Sequence, residues 1–134
     1  MPFRRTLLIA CLLPAALLLG PPAAGALANG TSVSHRDAKA QAQARELARR
    51  VEACVAYSKD YTQCETAGEL HAGRLPYGFG RGQVSVTSAT VSSYTVTAIS
   101  RSGNSFLITR SATGQVKHTC TSAGKGRCRR SGRW

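Results

Sequence analysis

Lys125, Arg127, Arg129, Arg130 and Arg133 fall within nine residues of one another, beside Trp134, the only tryptophan of the chain. Cations at that density next to an aromatic ring are the electrostatic footprint of a surface for a polyanion such as DNA, an anionic wall polymer or anionic lipid. Trp134 and Tyr94 are the rings available to stack or pack there. The charge is lopsided along the chain. Residues 29 to 70 hold six basic and six acidic side chains, whereas residues 71 to 134 hold ten basic and no acidic ones. A solvated basic tail that keeps an exported protein in solution accounts for the same run without any ligand.

The residues for other chemistry are sparse. Histidines occur at 35, 71 and 118, and the acidic residues end at Glu69, so any pairing of imidazole with carboxylate has to reach across the fold. A small basic secreted hydrolase such as a ribonuclease needs a Glu, a His and arginines around one phosphate. Glu65, His118, Arg101 and Arg110 are the residues that could be nominated, but their spacing does not bring them together, and the sequence predicts no catalytic site. Neither CxxC nor histidines at ligand spacing occur, so neither a metal nor another cofactor is expected. The run Leu75-Pro76-Tyr77-Gly78-Phe79-Gly80-Arg81-Gly82 has the glycines of a phosphate-cradling loop. It follows a helix and opens a strand, the reverse of that motif, and reads as a connector.

Four cysteines lie beyond the first 28 residues, an even number that favours a disulfide framework in an exported chain. Three pairings are open, and the spacing favours the local ones. Cys54 with Cys64 would tie a helix end to the turn after it, and Cys120 with Cys128 would close a loop containing Ser122, Gly124 and Gly126. Each would contribute roughly 2 to 3 kcal/mol by loop entropy. Such staples suit a chain of 134 residues with 6% aromatic content and hence a thin core.

Residues 1 to 28 read as a secretory signal peptide, with Arg4 and Arg5, an apolar run from Leu7 to Gly20, and Ala26-Leu27-Ala28 as the cleavage site. That run of 14 residues is shorter than the roughly 20 needed to span a bilayer, and secretion or display at the cell surface follows. Residues 29 to 36 are expected to be a linker. From Asp37 to Tyr57, Ala40, Ala44, Leu47, Val51, Cys54 and Val55 mark one helical face, with Gln41, Arg45, Arg49 and Glu52 elsewhere. Ser34 and Asp37 form a capping-box signal that places the start near Ser34. The stripe is mostly alanine before Leu47, so the first half is expected to protrude or fray. From Gln83 the period becomes 2, giving strands around Val84 to Val86, Tyr94 to Ile99, Phe106 to Ile108 and Val116 to Cys120. Ser102-Gly103-Asn104 and Thr113-Gly114 mark tight hairpins and Ser92-Ser93 a looser one. The predicted fold is α+β, an N-terminal helix packed across a four-stranded antiparallel meander, with a C-terminal disulfide loop.

Taken in order, AKAQAQARELARRVEAC, KDYTQC, SYTVTAISRSGNSFLITR and GQVKHTCTSAGKGRCRRSGRW resemble the globular domain of type IV pilins and pseudopilins, particularly actinobacterial forms. The resemblance covers residues 37 to 134. It implies that the segment between the last two cysteines is a surface loop folded back on the sheet. It also implies pilus or secretion-system components as partners if the chain is a minor pilin or pseudopilin subunit. The prepilin processing site and the apolar half-helix are missing from the pattern. What remains resembles a pilin-like domain exported without its filament segment, with a binding or structural role at the cell surface.

Overall fold

The computed structural model describes residues 25–134. One helix, α1 (Gly25–Ser58), precedes a 3-10 turn at Tyr61–Gln63 and four strands, β1 (Val84–Ala89), β2 (Tyr94–Ile99), β3 (Ser105–Arg110) and β4 (Val116–Cys120). The strands form one antiparallel sheet in sequence order. Val84, Val86, Tyr94, Val96, Ala98, Phe106 and Ile108 are buried on one face and meet Ala40, Ala44, Leu47 and Val51 of the helix. Thr87, Thr95, Thr97 and Thr109 stand on the opposite face and bond across it, Thr87 to Thr97 at 2.9 Å and Thr95 to Thr109 at 3.2 Å. This is the expected alternation, and it fixes the register, since a slip of one residue would turn the valines to solvent.

Both expected disulfides form. Cys54–Cys64 holds the helix end to the 3-10 turn, and Cys120–Cys128 closes the C-terminal loop. Disulfides of this kind belong with an oxidising compartment. Tyr61, carried by the stapled turn, packs on Tyr94 with ring centroids 5.0 Å apart. Thr66 and Glu69 form a reciprocal capping box, with Glu69 N donating to Thr66 Oγ1 and Thr66 N donating to Glu69 Oε2. Among the described residues no helix is long and apolar enough to cross a membrane.

Three expectations about the helix need correction. Residues 29 to 36 are not a linker, because α1 runs unbroken from Gly25. Gly30 costs about 1 kcal/mol there, but no proline or cap interrupts the segment, and a helix nucleated downstream propagates through it. Ser34 and Asp37 consequently do not cap anything. The first half does not protrude either: Asp37, Ala40 and Ala44 are buried. Alanine leaves little apolar area but permits close approach, and the C-terminal loop and the β2–β3 turn occupy that space. The signal-peptide reading falls, for residues 1–24, outside the described residues.

Candidate polyanion-binding loop

The loop that carries the basic cluster is held chiefly by its backbone, and its cationic side chains stay exposed. After β4, Lys125 N donates to Ser122 O and Cys128 N to Lys125 O, each at 3.0 Å, forming two successive turns inside the Cys120–Cys128 bridge. A further turn, with Arg129 N donating to Arg133 O and Gly132 N to Arg129 O, reverses the chain. Gly132 and Arg133 then lie beside β4, Cys120 N donating to Gly132 O at 2.9 Å and Thr119 pairing antiparallel with Arg133.

A polar stripe on α1 grips this loop. Ser34, Asp37, Gln41 and Arg45 recur at intervals of three and four, so they share one side of the helix. Arg127 Nε donates to Ser34 Oγ at 3.2 Å, Arg127 N donates to Asp37 Oδ2 at 3.1 Å, and Gln41 Nε2 donates to Arg127 O at 3.5 Å. Asp37 is fully buried and also accepts from Ser102 Oγ at 2.5 Å, so a single carboxylate joins helix, hairpin turn and loop. A Cβ at Gly126 would overlap Asp37 Oδ2, and the φ of +56° at that residue is itself unfavourable to any side chain. Glycine is therefore required where the loop meets the helix. From the other flank Asn104, also buried, donates to Lys125 O at 3.3 Å and accepts from Ser122 N at 3.0 Å.

Trp134 closes the end of the chain as a packing group. Its ring meets Phe106 edge-on at 5.7 Å and His118 at 4.6 Å, Arg45 lies 5.3 Å above it, and Nε1 donates to Thr119 O at 2.8 Å. With those neighbours on it the indole is not a free stacking platform. Tyr94 is buried beside Tyr61 and away from the loop, so it is no part of this surface. Burial, with the Arg45 charge second, holds the His118 imidazole below its ordinary 6.5.

Lys125, Arg127, Arg129, Arg130 and Arg133 are all exposed. Among the described residues the ion pairs are Glu46 with Arg49 and with Arg50, and Glu52 with Arg110 at 3.4 Å, so none of the five is neutralised by a carboxylate. The four residues nominated for hydrolysis do not gather. Arg110 and His118 line one shallow groove with Glu52, whereas Arg101 sits at the opposite end of the sheet, roughly 20 Å along the strands, and Glu65 lies in the segment after the helix. Glu52 is already engaged by Arg110 and by the Tyr61 hydroxyl at 3.2 Å. The described residues contain no group of three or more His, Cys, Asp and Glu placed to hold a metal. No family model, no curated protein and no solved structure matches the chain.

Sequence reasoning missed Asp37 and Asn104 as anchors of the loop. A signal for the first was present: the polar residues 34, 37, 41 and 45 keep helical phase beside the alanine stripe. Asn104 had no such signal, because its role as a turn residue accounts for it locally.

Proposed function

We propose that this chain is an exported, non-enzymatic domain of pilin-like type that contacts a polyanion, DNA or an anionic wall polymer, through the loop from Cys120 to Trp134. The observation that carries the reading is five exposed, unpaired cations on a loop fixed by a disulfide, a buried carboxylate and an asparagine. A tail needed only for solubility gains nothing from such anchoring, whereas a binding surface loses less entropy on contact when its backbone is already ordered.

Salt dependence tests it. Neutralising four phosphates on double-stranded DNA gives a slope of log affinity against log salt of about −3.6. Changing Arg127, Arg129 and Arg130 together to Ser is expected to remove most of that slope, while Arg49→Ser with Arg50→Ser, which act on cations already paired with Glu46, changes it little. Equal losses from both sets, or no binding at low salt, would sink the reading.

One observation favours a second reading, a minor type IV pilus or pseudopilin subunit. The helix continues through residues 29 to 36, so the linker expected before the domain is replaced by helix, as a subunit whose helix extends beyond its globular domain requires. N-terminal sequencing of the exported product separates the two: a start near Asn29 supports the released domain, and a start upstream with a methylated residue supports the filament subunit.

A further inference from the structure

We propose that a second cleft, on the flank of α1 away from the C-terminal loop, is a binding site for a compact, multiply charged phosphoryl group of the size of pyrophosphate. The cleft has a volume of about 510 Å³, within the range of small-ligand sites. His35, Arg36 and Lys39 come from the helix, Arg74 from the segment before the connector, and Arg101 from the β2–β3 turn. Ala40, Leu75 and Pro76 supply an apolar wall. No carboxylate lines the cleft, and none of its four permanent cations takes part in an ion pair among the described residues. Asp37, the nearest acid in sequence, does not line the cleft; it is buried and accepts from the Arg127 N–H and the Ser102 hydroxyl.

Three separate segments bring these cations to one recess, so their mutual repulsion is a product of the fold and is relieved by an anion with several charges. A monovalent anion would leave most of that repulsion in place. The local backbone is shaped for this convergence. Gly82, at φ +82°, lets the Arg101 arm pass over it: an added Cβ would stand 3.0 Å from Arg101 Nε and 3.3 Å from Cγ. Gly82 O in turn accepts from Gln43 Nε2 at 3.5 Å, and its N–H donates to Ile99 O at 2.6 Å, which fixes this wall to both helix and sheet. The glycine-rich connector thus does not cradle a phosphate with its own amides; its last glycine positions an arginine that can. Guanidinium forks contributed by Arg74 and Arg101, from two different segments, suit the several oxygens of a diphosphate.

Titration of the full-length protein with sodium pyrophosphate at constant ionic strength, read by calorimetry and by amide chemical shifts, tests the assignment. Saturable one-site binding is expected, with shifts at Gly82, Ser100 and Arg101, and weaker binding of sulfate. Arg74→Ser and Arg101→Ser should each weaken it about tenfold, while Arg129→Ser with Arg130→Ser leaves it unchanged, which separates this site from the loop. The proposal is overturned by the absence of saturation, or by equal losses from both pairs of variants. Displacement of pyrophosphate by a DNA duplex that itself loses affinity in the Arg74 and Arg101 variants would also overturn it, since the cleft would then be a stretch of the polyanion track. Arg101→Lys, which keeps the charge and removes the fork, gives a check independent of folding: affinity should fall with the amide spectrum otherwise unchanged.

Discussion

Replacing Asp37 by Ala is expected to detach the C-terminal loop while leaving the sheet intact. The carboxylate is fully buried and accepts from the Arg127 N–H at 3.1 Å and from the Ser102 hydroxyl at 2.5 Å. Hydrogen bonds to a charged group contribute about 1.5 to 3 kcal/mol each, so even with partial relaxation the loss should reach about 3 kcal/mol, a large share of the stability of a domain of this size. Asp37→Asn should lose only about 1 kcal/mol, because the amide can accept from Arg127 N–H and donate to Ser102 Oγ. Gly126→Ala separates the carboxylate from the loop conformation. Alone it should lose about 1 to 2 kcal/mol for the left-handed backbone and about 1 to 3 kcal/mol more from the overlap with Asp37 Oδ2. Combined with Asp37→Ala the overlap disappears, so the double variant should be less destabilised than the sum of the two by that second amount. Urea unfolding with the disulfides intact gives the energies, and amide exchange at Arg127 and Cys128 locates the effect. An Asp37→Ala loss under about 1 kcal/mol, or strictly additive variants, would refute the role given to Asp37.

Removing the Cys120–Cys128 bridge by paired serines should lower stability by about 2 to 3 kcal/mol and reduce affinity for a polyanion without changing its salt slope, since the cations remain; a changed slope would show that the bridge places individual contacts. Trp134→Ala should lose about 3 kcal/mol, at the low end for an aromatic truncation because the ring is half-buried, and near-ultraviolet circular dichroism should lose the band from its contacts with Phe106 and His118. A loss under about 1 kcal/mol would mean that the ring seals nothing. His118, held below its ordinary 6.5, binds fewer protons folded than unfolded. Its contribution is therefore complete above about pH 6.5 and fades as pH falls through the lowered folded value. His118→Gln should flatten that limb of a plot of melting temperature against pH, and an unaltered limb would assign the acid sensitivity elsewhere.

The strands were legible because Val84, Val96, Phe106 and their neighbours repeat every second residue and their turns are marked by glycine and asparagine. The disulfides were legible because each joins residues 8 or 10 apart. What stayed hidden depends on contacts between distant segments. Alanine at 40 and 44 signals weak apolar packing on any hydrophobicity scale, yet its smallness is what admits the loop. Asp37 and Ser34 satisfy a local capping pattern, and that sufficient local reading masked contacts 65 to 93 residues away along the chain. The cleft formed by Arg36, Arg74 and Arg101 is invisible to spacing, since it takes both the Tyr77–Val84 bridge and the register of β1 with β2 to bring the second and third segments together beside the helix.

That register also gives the molecule an electrical polarity. The start of β1, the end of β2, the start of β3 and the end of β4 share one end of the sheet, and the helix residues 34 to 43 lie over that end. Arg74, Arg101, Lys125 and Arg127 consequently collect around Arg36 and Lys39, where Asp37, the one acid, is buried. Glu46, Glu52, Asp60, Glu65 and Glu69 lie on or beside the second half of the helix, where Arg49, Arg50 and Arg110 are already paired. Six cations and a single buried acid thus gather at one end, whereas the five other acids lie toward the end that carries Lys59, Lys117 and the paired Arg49, Arg50 and Arg110, so the first end is the more positive one presented to an approaching anion. The loop and the cleft share that face, on opposite flanks of one helix, so a net positive field favours the approach of anions to both, while contacts local to each decide what is held there.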